Sequence, residues 1–351
     1  MKNLHLIALA VILALASCME KKDGKRKESK VASIGQPSEV LLVTDTKVLN
    51  SAAKDSLEEM LTINVPGLNQ GEDYFRMSRI PESMDQKDFQ KIHSRLLVKV
   101  NSKLKEVKLG SAKNVHANPQ LEVMLTGPSA DAITKYLSSH ADHIRDLLLQ
   151  SQLDMQTTYL KGHFSKEVRK DLKQMFGYAI DAPEEIKFTK KGENCLWASS
   201  RTQDKQLNMV FYAVPLDNKM PMECLGNDSR LTLQEEDMMV RFLATLRDSV
   251  MMENIPGSKP DQWMETTWED ETPIAMVRKT ALNGNRAIEM RGLWQMRNGA
   301  MGGPFVSVAQ IDRKKNLLFV AEGFVYSPGT TKRDLVRKLE ASFRTLTGIG
   351  Q

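Results

Sequence analysis

The chain has 351 residues, 41% apolar and 26% charged, with a formal net charge of +5 at pH 7. Of those charges one is Lys2 and three come from residues 20–30, where six Lys/Arg face three Asp/Glu, so the remainder is close to +1. A body without a basic face offers no electrostatic basis for nucleic-acid binding, which depends on many phosphate contacts.

Lys2 precedes an apolar run from Leu4 to Ala16 that only His5 interrupts. At about 13 residues it is too short for the roughly 20 that a membrane-spanning helix needs, and it suits a secretory leader. The run closes on Leu15-Ala-Ser-Cys18. That sequence resembles the bacterial lipobox, in which a diacylglyceryl group joins the cysteine sulfur and cleavage falls just before it. Residues 1–17 are therefore the expected leader and Cys18 the expected lipid-bearing first residue. Met19 to Lys30 is almost wholly charged. Such a stretch cannot bury enough surface to offset its ordering entropy, so residues 18–35 are predicted to be a disordered tether.

The rest of the chain reads as an α+β protein of two units, 36–155 and 156–351, with helices packed on mixed or antiparallel sheets. In the first, Val40–Thr44 is a buried strand and Ala52–Leu61 a helix stopped at Asn64-Val-Pro-Gly67. Tyr74–Ile80, Leu96–Val100 and Gln120–Thr126 are further strands. Ser129 caps a helix carrying Ile133, Leu137, Ile144 and Leu148 at helical spacing. Phe164–Phe176 is a helix ended by Gly177. Ile186–Phe188, Cys195–Ser200 and Leu207–Val214 form a meander, with a hairpin loop at Thr202–Lys205. Thr232 caps a helix that ends at Asn254-Ile-Pro-Gly257. Met276–Leu282 and Arg286–Met296 flank the hairpin signal Asn283-Gly284. In the second of these strands Ile288, Met290 and Gly292 alternate with Glu289 and Arg291, the pattern of a half-exposed strand. Gly299-Ala-Met-Gly-Gly-Pro304 reads as a flexible loop, Asn316–Tyr326 as a strand and Lys332–Leu346 as a closing amphipathic helix. Strand, helix, Pro-Gly stop and strands recur in that order, which suggests a duplicated unit.

No phosphate-binding loop, dinucleotide-binding glycine pattern or Gly-x-Ser-x-Gly elbow occurs, and no cofactor is implied. His140 and His143 share a helix face, but nothing supplies a third ligand, so no metal is expected. Besides Cys18 the cysteines are Cys195 and Cys224, a candidate disulfide or two buried thiols. Trp263, Trp268, Trp294 and Phe305 either line an aromatic surface for a glycan or peptide or close the core of the second unit.

Taken together, the lipobox, Pro37-Ser-Glu-Val-Leu-Leu-Val43, Asn64-Val-Pro-Gly67, Met175-Phe-Gly177 and Arg247-Asp-Ser-Val-Met-Met-Glu-Asn-Ile-Pro-Gly257 resemble an uncharacterised Bacteroidetes lipoprotein family, domain of unknown function 4837. The resemblance spans essentially the whole mature chain. It implies a lipid-anchored protein of a Gram-negative envelope, at the outer membrane, with no catalytic residues to carry over. Glu20 followed by Lys21-Lys22 leaves open whether it faces the periplasm or the surface. The expected role is a binding or assembly module held to the membrane by its anchor, meeting an envelope protein or a glycan. The alternative is an envelope hydrolase acting on a glycan or peptide with residues drawn from distant segments.

Overall fold

The computed structural model describes residues 31–216, 221 and 230–349. The apolar run at Val40 becomes β1 (Glu39–Thr44). Val40 and Leu42 pack under helices while Leu41 and Val43 pack with Ile80 and Ile92 on the other face, so the strand is apolar throughout. Asp45 ends the strand and starts α1 (Thr46–Leu49) by accepting the Val48 N–H at 2.9 Å; its other oxygen takes the N–H of Val100. In α2 (Ala52–Thr62), Ala53, Leu57, Met60 and Leu61 share the buried face. β2 (Arg76–Pro81), β3 (Ser94–Val100), β4 (Lys108–Lys113) and β5 (Leu121–Gly127) complete a five-stranded sheet in the order β2-β1-β3-β5-β4. All but β4 run parallel. β4 is an exposed edge strand with the sequence KLGSAK, which carries no apolar alternation to announce it.

α3 (Ala130–Leu160) starts at Ser129, whose hydroxyl accepts the Ala132 N–H. Its 31 residues make a helix of roughly 46 Å. It lies on the first sheet through Ile133, Leu137, Ile144 and Leu148 and continues unbroken past residues 155 and 156, where composition places the unit boundary. α4 (Lys166–Phe176) is capped by Ser165 and stopped by Gly177, whose φ of 76° is the left-handed conformation that glycine adopts freely.

β6 (Phe188–Lys191), β7 (Cys195–Ser199) and β8 (Gln206–Pro215) form the predicted meander. α5 (Leu233–Asn254) opens with a reciprocal Thr232–Glu235 capping box. Three short strands follow, β9 (Met264–Thr266), β10 (Trp268–Glu269) and β11 (Thr272–Pro273). β12 (Ala275–Leu282) and β13 (Asn285–Met296) are joined by Asn283 and Gly284, both at positive φ, as a two-residue hairpin turn of this kind needs. β14 (Gly302–Asp312), β15 (Leu317–Tyr326) and α6 (Arg333–Phe343) end the fold.

The second sheet has eight strands in the order β12-β13-β14-β15-β8-β7-β6, all antiparallel, with β9 beside β13. α5 covers one face through Met239, Leu243 and Met251; α4 and α6 cover the other through Val168, Leu172, Val336, Leu339 and Phe343. The protein is therefore α+β. The recurring order of strand, helix and Pro-Gly stop rests on two different topologies, one mostly parallel and one antiparallel.

Two expectations are corrected. The segment Gly299–Pro304 is not all loop: Gly302, Gly303 and Pro304 lie in β14, with Gly303 opposite Trp294. Residues 31–34, placed in the tether by their sequence, are fastened to the first unit: the Ile34 N–H donates to Lys91, and Val31 accepts from Asn118. Among the described residues no helix is long and apolar enough to cross a membrane.

Candidate functional site

α6 is where the two sheets meet. Val336, Leu339 and Phe343 face the second sheet and Ala341 the core of the first unit, whereas Arg333, Arg337, Glu340 and, just past the helix end, Arg344, spaced four, three and four apart, form a charged stripe along the seam. Arg344 pairs with Asp154 of α3 at 2.8 Å, and Thr157 donates to the Ala341 carbonyl. At the other end Asp334 accepts from Ser38 at 2.6 Å and pairs with Arg76 at 2.9 Å.

Along this seam lie two adjoining hollows. The larger, about 340 Å³, opens between α3, β12 and α6 and is edged by Gln150, Asp154, Thr157, Thr280 and Asn283. The smaller, about 110 Å³, lies toward the start of α6, against Tyr74, Arg333 and Arg337. Arg278, Arg291, Glu340 and Leu149 border both.

The charges between them are tightly ordered. Glu289 accepts from Arg278 Nε and Nη2 at 2.9 and 3.0 Å and from Arg291 Nε at 2.6 Å, and Arg291 Nη2 reaches Glu340. Burial alone would raise the Glu289 carboxyl, but Arg291 and Arg278 more than offset it and hold its pKa at about 2. Burial likewise opposes the charge on Arg291, and Glu340 and Glu289 overcome it, raising its pKa above the ordinary arginine value. Arg337 differs. It donates to Ser38 Oγ at 2.6 Å and to the Tyr74 carbonyl at 2.7 Å and stacks over the Tyr74 and Phe75 rings. Among the described residues no carboxylate lies within ion-pair distance of it, and burial pushes its pKa down to about 10. Burial also raises the Tyr74 phenol, which keeps its proton at neutral pH.

Chemically this is a rigid array of donors. Glu289, ionised at any physiological pH, can hold arginines in place but cannot deliver a proton. A third hollow, about 450 Å³, lies between the end of α3 and α6 and is walled largely by Pro37, Met155, Tyr159, Leu160 and Leu335. Its polar lining is Gln156, Asp334 and Lys338, of which Asp334 pairs with Arg76 and Lys338 with Glu185. Among the described residues no group of three or more His, Cys, Asp or Glu is placed to hold a metal ion. The His140 ring stacks on Tyr136 at 3.8 Å between centroids.

Residues 165–345, more than half of the chain, match the profile of domain of unknown function 4837. The chain belongs to that family. Residues 33–161 match a separate one, domain of unknown function 8532, so the 4837 resemblance covers the second unit rather than the whole mature chain. No curated protein matches the chain. The seam cleft is thus walled by both matched regions: Arg278, Glu289, Arg291, Arg337 and Glu340 come from the 4837 region, and Tyr74, Leu149 and Asp154 from the other.

In this 4837 protein the four aromatic candidates do not form a surface. Trp294 and Phe305 are buried in the core beneath α5, where the Trp294 indole donates to the Val325 carbonyl and Arg247 lies over the Phe305 ring. Strand alternation turns both inward. Trp263 is half-buried under Arg297, and Trp268, also half-buried, donates to Asp248 at 2.8 Å. Cys195 is buried on β7, where loss of solvent pushes its thiol up to about 12. Its candidate partner Cys224 and the lipidation candidate Cys18 lie outside the described residues.

The cleft itself escapes the sequence reading. Glu289 and Arg291 alternate with apolar residues as a solvated strand face would, yet that face is roofed by α6 and α3. The available signal is the charged stripe on a helix whose opposite face is also buried.

Proposed function

We propose that the protein is a ligand-binding module of a bacterial cell envelope, tethered through a lipid on Cys18, with the cleft between its two units as the binding seat. The observation that carries the reading is the 340 Å³ chamber at the seam, bordered by convergent polar groups and by arginines locked in place by Glu289 and Glu340. Ligand sites favour such junctions, and groups fixed before binding spare the entropy of ordering them. The leader ending in Leu-Ala-Ser-Cys18 and the charged tether support a place at the outer membrane of a Gram-negative envelope, as in a Bacteroidetes lipoprotein.

The test is a thermal-shift screen of the full-length protein, in non-ionic detergent, against glycan and peptide fragments. A stabilising fragment should lose its effect when Thr280→Trp fills the chamber. Steady cleavage of that fragment would replace binding with hydrolysis, and a shift indifferent to Thr280→Trp would remove the ligand from this cleft. The anchor is tested separately: Cys18→Ala should release the protein into the soluble envelope fraction, and its persistence in membranes would refute lipidation there.

A further inference from the structure

The smaller hollow beside the chamber is bordered by four guanidinium groups, those of Arg278, Arg291, Arg333 and Arg337, and by one carboxylate, Glu340. Its remaining lining includes the buried apolar residues Val65, Leu149 and Val336, which lessen solvent screening around the buried Arg337, while Arg278 stands exposed at the rim. Its volume, about 110 Å³, falls well below the roughly 300–1,000 Å³ of sites that hold whole small molecules. The 340 Å³ chamber next to it reaches that range. The pair therefore divides into a main chamber and a charged end-pocket.

Not all four cations are neutralised alike. Arg278 and Arg291 are engaged by Glu289, Arg291 also by Glu340, and Arg333 by Asp334 at 3.0 Å and the Asp73 carbonyl at 2.6 Å. Arg337 hydrogen-bonds only to the neutral oxygens of Ser38 and Tyr74, and Glu340 and Asp334 act on it at longer range without outweighing its burial. A buried guanidinium with no directly bonded carboxylate is costly, and the cost falls when an anion arrives. Its orientation is already fixed by two hydrogen bonds and two rings, so an anion meets a prepared donor.

We propose that the end-pocket is an anion subsite: it takes a compact oxyanion, phosphoryl or carboxylate, borne by a ligand whose body lies in the larger chamber. The subsite deepens the binding reading given above and rests on it.

The experiment is calorimetric titration of the full-length protein in non-ionic detergent, at low ionic strength, with inorganic phosphate in one arm and acetate in the other. At least one should bind saturably with one site per chain, and the arm that does so assigns the group; chloride at matched ionic strength should not. Arg337→Gln should weaken that binding by at least about tenfold, the scale of one lost charged hydrogen bond, and Arg337→Lys should restore part of it. Arg278→Gln, at the more exposed rim, provides a second reading if Arg337→Gln does not fold, and should also weaken binding. Arg313→Gln, in the exposed turn after β14, should change nothing. The proposal is overturned if neither anion saturates, or if well-folded Arg337→Gln and Arg278→Gln bind as the parent does. Thr280→Trp separates the two levels. An absent anion site with fragment capture still sensitive to Thr280→Trp removes only the subsite, whereas insensitivity of fragment capture to Thr280→Trp removes the cleft reading beneath it.

Discussion

Glu72 caps a helix that belongs to the other half of the molecule: its Oε2 accepts the backbone N–H of Arg333 at 2.9 Å, while Oε1 takes that of Lys332 at 2.6 Å. Lys332, at the start of α6, supplies no side-chain cap of its own. A carboxylate from the loop before β2 therefore satisfies two donors that the helix leaves open and meets the positive end of its dipole. The cleft depends on this join, because Arg337 and Glu340 ride on the helix that Glu72 fixes.

Glu72→Ala is accordingly expected to cost about 1–2 kcal/mol, in the range of a lost N-cap. In urea unfolding the midpoint should fall with an unchanged slope. Hydrogen exchange supplies the local reading: the amides of residues 332–336 should lose protection more than those of β14. Equal protection across α6 in the variant would show that the cap does not hold the helix.

A pH dependence follows from Glu289. Its carboxyl is held at about 2, below the ordinary 4.5, so the folded state takes up a proton less readily than the unfolded chain. The stabilisation is complete above about 4.5 and is lost as pH falls toward about 2. Glu289→Gln should flatten this part of the acid-denaturation curve. At pH 7 it should cost about 3 kcal/mol, since Arg291 and Arg278 then lose a buried partner. A variant whose acid limb superimposes on that of the parent would deny Glu289 this role.

The elements legible in the sequence are those whose pattern has a local cause. β1 and β8 are apolar runs, α5 carries its own capping box, and the β12–β13 turn needs the Asn283-Gly284 pair. The meander and the closing helix follow from the same local rules. What was not legible depends on partners far along the chain. β4 is a polar edge strand that exists because β5 offers it hydrogen bonds. The first three residues of β14 are Gly-Gly-Pro, which signal a loop by composition and form a strand because β13 lies alongside. The charged cleft is hidden for the same reason: whether Glu289 faces water or a helix more than 40 residues later is decided by packing, not by spacing.

Gly303 tests the corrected strand. A side-chain carbon built there would lie 2.2 Å from the Val325 carbonyl oxygen and 3.2 Å from the Trp294 indole nitrogen. The neighbour is backbone in the adjacent strand, so it cannot turn aside. Gly303→Ala should therefore force β14 from β15 and cost about 2–3 kcal/mol, at the upper end of overpacking effects. Gly284→Ala provides a contrast of cause, since nothing crowds that position and only its φ of 79° opposes a side chain. Its cost should be smaller, about 1 kcal/mol. If Gly303→Ala unfolds at the parent's midpoint, the close approach of β14 to β15 is wrong.

The most deeply enclosed charges, Arg247 of α5 and Glu322 of β15, are both fully buried and joined by hydrogen bonds of 2.9–3.1 Å. Burial raises the Glu322 carboxyl, and Arg247 opposes that rise. Arg247→Met alone would leave the carboxylate enclosed without its cation, and is expected to cost about 3–5 kcal/mol. Removing both charges in Arg247→Met/Glu322→Leu should recover most of that loss, because two apolar side chains of similar volume avoid desolvating either ion. A double-mutant cycle in urea measures the coupling directly. Recovery is the informative quantity: a double variant at least as stable as Glu322→Leu and clearly more stable than Arg247→Met identifies the pair as mutually dependent. Additive losses would instead mean that Arg247 earns its place through Thr266, which it contacts at 3.2 Å, and through the Phe305 ring.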